Sequence, residues 1–392
     1  MKYDFDRQID RRGTSCWKYD FAVEKGKPED VLPMWIADMD LSAPPEVIDA
    51  IKERAEHGVF GYTMPKRDYF TAVAEWFKTR HGWNADPDKF ICTPGVVFAI
   101  CTLIRAVTKA GDGVIICQPV YYPFAYSIEN NKRKLVVSEL KCENGRYAVD
   151  FDDFERKIVE NGVKAFILCS PHNPVGRVWT REELERLGDI CLKHGVFVIS
   201  DEIHCDFTQK GHRHIVFPTV KNQFESTCAV CTSPSKSFNV AGLQISNIYI
   251  PDQTVRKKFE DELDVMGYWE PSVFGMTACR AAYEKGGKWL DALKDYLDGN
   301  LSLVRDYLKD NLPEVKLIEP EGTYLIWLDC RALGLSDEQL QTAVESKGKL
   351  WLDDGYVFGA GGSGFERINI ACPRATLKTA LDRLKYALKS AD

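Results

Sequence analysis

The sequence predicts an α/β protein: a central, mostly parallel sheet flanked by helices, with a smaller α+β part beside it. Two observations predict this. Between about residues 90 and 250, short and nearly continuous apolar runs alternate with stretches of helical periodicity. Strands buried on both faces of a parallel sheet have that composition, and strand–helix alternation is how such a sheet is written in a chain. In the C-terminal third the alternation gives way to long helical patterns around two short strands.

Taken in order, the first forty-odd residues are irregular and rich in aromatic side chains. A helix is predicted over 98–109, where Ile100, Leu103, Ile104 and Val107 recur at helical spacing. Strands are predicted over 113–117, 135–138, 164–169, 196–200, 227–231 and 247–250, each a short apolar run. Thr180-Arg-Glu-Glu183 reads as a capping box opening a helix that turns Leu184, Leu187 and Cys191 inward. Helices over 289–309 and 337–346 and strands over 324–328 and 367–370 follow, with a glycine-rich loop at 359–364. At 392 residues the chain exceeds what one core serves. The expected division is a large domain at 46–285 and a smaller one formed by 1–45 and 286–392.

Composition bounds the function. The hydrophobic share of 45% and charged share of 28% are those of an ordinary globular protein. A net charge of −7 argues against nucleic acid as the partner, since phosphate backbones are held by excess Lys and Arg. The first dozen residues alternate charges without an apolar run, so no secretory leader is expected, and no apolar stretch approaches a membrane span. Thirteen cysteines, mostly alone along the chain, predict reduced thiols and a cytoplasmic protein. His204, Cys205, His212 and His214 lie close in sequence, but no ligand spacing organises them, and no metal is expected.

Ligands of such sheets gather beyond the carboxyl ends of the strands. Three polar constellations follow predicted strands there: Ser170-Pro-His-Asn-Pro-Val-Gly176, Asp201-Glu-Ile-His204 and Thr232-Ser-Pro-Ser-Lys-Ser-Phe238. Singly each is bland. An Asn-Pro is a turn, an Asp ending a strand is a cap, and a Lys in a serine-rich loop is solvated. Their joint order places an Asn, an acid, a His and a Lys on one rim.

In that order and spacing, HNPVGRVW, DEIHCDF and SPSKSFNVAGL resemble the cofactor motifs of class I/II aminotransferase-like pyridoxal 5′-phosphate (PLP) enzymes of fold-type I. The segments Pro33-Met-Trp-Ile-Ala-Asp-Met-Asp40, Phe60-Gly-Tyr62, Thr93-Pro-Gly-Val-Val97 and Pro119-Val-Tyr-Tyr-Pro-Phe124 extend the resemblance toward the start. Glu321-Gly-Thr-Tyr324 and Phe365-Glu-Arg-Ile-Asn-Ile-Ala-Cys-Pro373 extend it toward the end, so that it covers nearly the whole chain. The combination is similar to the cystathionine β-lyase and C–S lyase subgroup.

The resemblance implies a role for each position. Lys236 carries the cofactor as a Schiff base and then moves the Cα proton, a task that needs its amine neutral part of the time. Asp201 pairs with the ring nitrogen. Asn173 bonds the ring hydroxyl oxygen, and His204 stands where many relatives place a tyrosine facing that oxygen. Tyr121 stacks on the ring and, with Lys236 and Tyr62, forms the catalytic group. The phosphate rests on the N–H groups of Val96 and Val97 at a helix start, with hydroxyls from Ser233 and Ser235. Tyr62 reaches the phosphate of a neighbouring subunit, which implies a homodimer with shared sites. Arg367 clamps the substrate carboxylate bidentately. Trp17, Tyr62, Tyr121 and Tyr324 are the aromatic candidates for the pocket.

One position departs from the wider pattern. Many aminotransferases carry an Arg eight residues after the lysine; here it is Gln244. The C–S lyase subgroup shares that change. The expected activity is therefore β-elimination from a small amino-acid substrate, L-cystathionine first and then cysteine or S-substituted cysteines, giving a thiol, pyruvate and ammonia. A PLP-dependent aminotransferase is the alternative, and a non-catalytic binding scaffold a remote one.

Overall fold

Seven strands build the central sheet of the computed structural model, which describes residues 3–389; residues 1–2 of the charged opening stretch lie outside it. In chain order they are β1 (Phe90–Thr93), β2 (Gly113–Gln118), β3 (Lys134–Glu139), β4 (Val163–Cys169), β5 (Phe197–Asp201), β6 (Cys228–Thr232) and β7 (Ser246–Tyr249). Their spatial order is β1-β7-β6-β5-β4-β2-β3. The run from β3 to β6 is parallel, while β7 lies antiparallel to both β6 and β1. Six of the seven fall within a residue or so of their predicted places. The edge strand β1 is the addition, a four-residue run with no alternation of its own.

Both faces of this sheet are covered, which is why its strands read as continuous apolar runs. Ile115, Phe166, Leu168, Val198 and Cys228 pack on one side with Phe154, Ile158, Leu184 and Leu187 from the helices Phe151–Asn161 and Arg181–His194. Val114, Ile116, Ala165, Ile167, Ile199 and Ala229 face the other side, against Ile100, Leu103 and Ile104 of helix Val96–Val107. The predicted capping box is formed: Thr180 Oγ1 accepts from Glu183 N (3.2 Å), and the Glu183 carboxylate accepts from Thr180 N (2.8 Å). That helix ends at Gly195, whose φ of 65° is the left-handed conformation that stops a helix.

The C-terminal third forms a four-stranded antiparallel sheet from β8 (Lys316–Ile318), β9 (Leu325–Asp329), β10 (Asp353–Asp354) and β11 (Phe365–Asn369), ordered β8-β9-β11-β10. Helices Gly287–Asn311 and Arg374–Lys389 pack on it through Leu297, Leu301, Val304, Leu377, Leu381 and Leu384. The helix expected over 337–346 is α-helical only over Asp337–Thr342 and closes as a π turn over Ala343–Lys347. The cut expected after residue 285 falls at Gly286, between the helices Val273–Lys285 and Gly287–Asn311.

The irregular opening segment bridges the two sheets. Leu32–Pro33 pairs in parallel with Leu350–Trp351, and Trp35 stacks on Trp351 at 4.4 Å. Asn239, just past the candidate lysine, holds the segment with Nδ2 on Met39 O (3.0 Å) and Leu41 O (2.7 Å). Asn369 of β11 holds it with Nδ2 on Ile36 O and Asp38 O. Lys18, almost fully buried, donates to Asp40 at 2.8 Å, and Arg11 pairs with both Asp38 and Asp40. Among the described residues no helix is long and apolar enough to cross a membrane.

Candidate active site

The carboxyl ends of β4, β5 and β6 stand in one row, with Cys169 beside Asp201 and Asp201 beside Cys231. A cavity of about 410 Å³ opens beyond that row, within the range of small-molecule sites. Asn173, Asp201, His204, Ser235, Lys236 and Arg367 all line it, as do Val96, Val97 and Tyr121. The structure thus gathers nine of the eleven site residues expected from sequence on one wall.

Lys236 sits in the short helix Pro234–Ser237 directly after β6. Its Nζ donates to Ala37 O at 2.7 Å, a carbonyl that also accepts from Tyr324 OH at 3.0 Å. Burial holds the amine down to about 8; Arg367 pushes the same way, while Asp38 and Asp201 oppose it. A lysine restrained in this way is partly neutral near physiological pH, as a nucleophile requires.

Asp201 closes β5 with 5% of its surface exposed. Among the described residues its side chain accepts one hydrogen bond, from Ile203 N at 3.1 Å. Burial pushes its carboxyl up to about 7, with Glu202 adding to the rise and Lys236 resisting it. This acid lacks the cationic partner that would make its ionised form comfortable. His204 is equally buried; its Nδ1 has no hydrogen-bond partner, and burial, then Lys236 and Arg367, press it down to about 3. It is a neutral imidazole with an orphaned nitrogen in the cavity wall.

Asn173 and Arg367 meet across the cavity floor, Nη1 donating to Oδ1 at 2.9 Å. Nη2 of Arg367 donates to Trp35 O at 2.8 Å and to the carboxylate of Asp353, whose own carboxyl burial pushes up against the pull of Arg367 and Lys27. Sequence reasoning named Arg367 and missed Asp353, because the pair is made by strand register and not by sequence proximity.

At the opposite end, helix Val96–Val107 begins on the cavity. Gly95 precedes it, no side chain caps it, and the first intrahelical bond runs from Ala99 N to Gly95 O. The N–H groups of its first turn are therefore free to hold an anion. A Cβ at Gly95 would meet no atom within 4 Å, so this edge is open to a ligand. Ser235 lines the cavity, whereas Ser233 is turned to its own backbone: its hydroxyl donates to Ile245 O at 2.7 Å and accepts from Ser235 N at 3.0 Å. Gln244 is exposed and is not part of the wall.

The aromatic candidates divide. Tyr121, its phenol pushed up by burial, and Trp17, half exposed, line the cavity. Tyr324 is buried behind Ala37 with its ring 5.8 Å from His204, and does not line it. Tyr62 is 94% exposed, in an extended stretch whose neighbours Val59, Phe60 and Met64 are also exposed. Tyr122, Trp35, Ile36 and Ile203 join the wall without having been singled out. All but Ile36 and Ile203 could have been flagged as aromatics inside motifs already quoted.

The histidine–cysteine cluster disperses. His204 goes to the cavity, His214 bonds Glu202 at 2.6 Å, and Cys205 lies with His81 and Asp206, their donor atoms within 4.8 Å of one another. His81 Nε2 is on Asp206 at 2.9 Å, and Asp206 also accepts from the Ser237 hydroxyl, next to Lys236.

The chain is similar to known proteins along nearly its whole length. The family model described as aminotransferase class I and II matches residues 29–384. Cystathionine beta-lyase PatB of Bacillus subtilis is 45% identical over 98% of this chain and 100% of its own length. Cystalysin of Treponema denticola, solved with a pyridoxal 5′-phosphate cofactor, superposes with a TM-score of 0.96 at 40% identity, covering 100% of both chains. The PLP-bound C–S lyase of Staphylococcus hominis gives 0.92 at 34% identity over 98% of both.

Proposed function

The chain belongs to the class I and II aminotransferase family, and from that premise we propose that it is a pyridoxal 5′-phosphate-dependent carbon–sulfur β-lyase. Its substrate is L-cystathionine, with cysteine and S-substituted cysteines in addition, and its products are a thiol, pyruvate and ammonia. The observation that carries the proposal is one cavity wall holding both a lysine whose amine is depressed to about 8 and a buried aspartate without a cationic partner.

The residues present fit the cofactor. Asp201 would supply a carboxylate for a protonated ring nitrogen, and the orphaned Nδ1 of His204 and the side-chain N–H₂ of Asn173, both in the lining, would be available to a ring oxygen. The uncapped start of helix Val96–Val107 and the Ser235 hydroxyl offer donors to a phosphate. Ser233 keeps its own hydrogen on Ile245 O, so Ser235 is the donor in their 2.6 Å contact and would turn that hydrogen to a phosphate on binding. Tyr121 is the aromatic face for stacking.

When bound, pyridoxal phosphate supplies a cationic ring that accepts the electron pair left on the substrate's Cα. The chain does the rest. Arg367 holds the substrate's carboxylate, which fixes the amino acid's orientation about Cα. Lys236, in the cavity wall, would accept the Cα proton. Asp201 stays ionised once paired, because a nearby cation lowers a buried carboxyl. The thiolate would depart from Cβ and take up a proton as the thiol, and water would hydrolyse the remaining enamine to pyruvate and ammonia; Trp17, Trp35 and Tyr121 line the cavity where this occurs.

Elimination and transamination differ in what accumulates. With cystathionine and no 2-oxo acid, free thiol and pyruvate are expected in equal amounts over many turnovers. A single burst no larger than the enzyme concentration, without thiol, overturns the lyase reading in favour of the aminotransferase.

The exposed run at Val59, Phe60, Tyr62 and Met64 supports a homodimer in which Tyr62 completes the neighbour's site. Tyr62→Ala and Lys236→Ala, each inactive alone, are expected to recover roughly a quarter of native activity when mixed, the share of intact sites after random pairing. No recovery after subunit exchange overturns shared sites. The thirteen unpaired cysteines support a reducing, cytoplasmic setting.

A further inference from the structure

Arg367 reaches the cavity with most of its guanidinium already engaged. Nη1 is on Asn173 Oδ1, and Nη2 is on both Trp35 O and the Asp353 carboxylate. Nε is buried and has no partner among the described residues. Arg367 is 2% exposed and Asp353 8%. The two are direct register partners across β11 and β10, so their side chains rise from the same face of the sheet. On its outer side Asp353 feels Lys27, whose ammonium pairs with Glu345.

A long side chain serves recognition only when its planar head is fixed, and a guanidinium is fixed by partners on the edges that the ligand does not use. Asn173 and Trp35 O supply two such partners, but both are neutral. Asp353 is the charged one. We propose that Asp353 is the positioning residue for substrate-carboxylate recognition: it holds Nη2 on the strand side and leaves the Nη1 hydrogen not given to Asn173 as the donor for the incoming carboxylate. The inference rests on the reading of Arg367 as the carboxylate site. It also alters the expected clamp. The engaged Nη2 is part of the scaffold, and recognition falls to the uncommitted Nη1 hydrogen.

A charged partner behind the arginine has a second consequence. It cancels much of the cation's long-range field, so anions are not drawn in by charge alone and the geometry of the donors decides what binds. Substrate selection at this end then depends on shape, with Asp353 setting it.

The test uses the cofactor-loaded protein and two ligands that differ by a carboxylate alone, alanine and ethylamine, titrated by the change in cofactor absorbance. In Asp353→Asn, alanine affinity is expected to fall about tenfold to a hundredfold, as for loss of one partner of a buried charge pair. Ethylamine affinity holds within about twofold, the usual scatter for a site left untouched. KM for cystathionine rises with the alanine constant while kcat stays nearly unchanged. Equal weakening of both ligands marks a merely structural role and overturns the proposal. So does unchanged or tighter alanine binding, which makes Asp353 a bystander or a competitor. If Asp353→Asn fails to fold, Asp353→Glu carries the same comparison, since a longer arm displaces the guanidinium without removing the charge. A native enzyme that does not distinguish alanine from ethylamine refutes instead the underlying role of Arg367.

Discussion

Replacing Lys236 by alanine is expected to lower turnover of cystathionine by about 10⁴-fold or more, the upper end of what a positioned acid–base group contributes. The fold should survive, because Ala37 O keeps its bond from Tyr324 OH when the Lys236 donor is lost. Two further measurements tie the loss to chemistry. After borohydride treatment and denaturation the native chain retains a pyridoxyl label, whereas Lys236→Ala retains none. In the native chain freed of cofactor, covalent uptake of pyridoxal phosphate accelerates as pH rises through about 8, where the amine loses its proton. The sign follows from burial, which favours the neutral amine. An inflection near the ordinary lysine value, or a variant that turns over normally, removes Lys236 from its role.

Arg367→Ala is the second large effect. kcat/KM for cystathionine is expected to fall roughly 10²–10³-fold, the equivalent of about 3–4 kcal/mol from a buried charge-assisted contact. The cofactor stays bound, since none of the groups assigned to its ring nitrogen or phosphate is touched. The substitution also strands Asp353 without its partner, which costs about 3–5 kcal/mol of stability for a buried charge. The double variant Arg367→Ala/Asp353→Asn removes the stranded charge and should recover much of the Tm without recovering kcat/KM. That divergence separates recognition from folding. Arg367→Lys keeps a charge but loses the fork, and is expected to recover little. Loss of cofactor from Arg367→Ala at native stability contradicts the carboxylate role.

The large sheet was legible because most of β2 to β7 is buried on both faces, which writes them as mainly apolar runs, with polar residues such as Ser138, Lys164, Ser200 and Asn247 too few to hide the pattern. The edge strand β1 was not, since four residues at a sheet margin carry no periodicity. Asn173, Asp201, His204 and Lys236 were legible through position: each follows a strand whose end faces the same rim. Ser233 and Ser235 look alike in the sequence, and only the backbone turn that sends the first toward Ile245 separates them. Ala37 contributes a carbonyl, which every residue has, so no residue type could announce it. Asp353 sits in a Leu-Asp-Asp-Gly stretch that reads as a turn. It becomes a partner of Arg367 only when β10 and β11 pair.

The clasp of the opening segment by Asn239 and Asn369 bears on how the protein is made. The cavity wall draws on Trp35 near the start of the chain and Arg367 near its end, with Lys236 between them. A ribosome therefore releases almost all of the polypeptide before a vitamin B6 phosphate has a complete seat. Until then the cavity lacks Arg367 and the second sheet that carries it. Nascent fragments cannot capture the vitamin in its working place, and loading is an event of the finished chain.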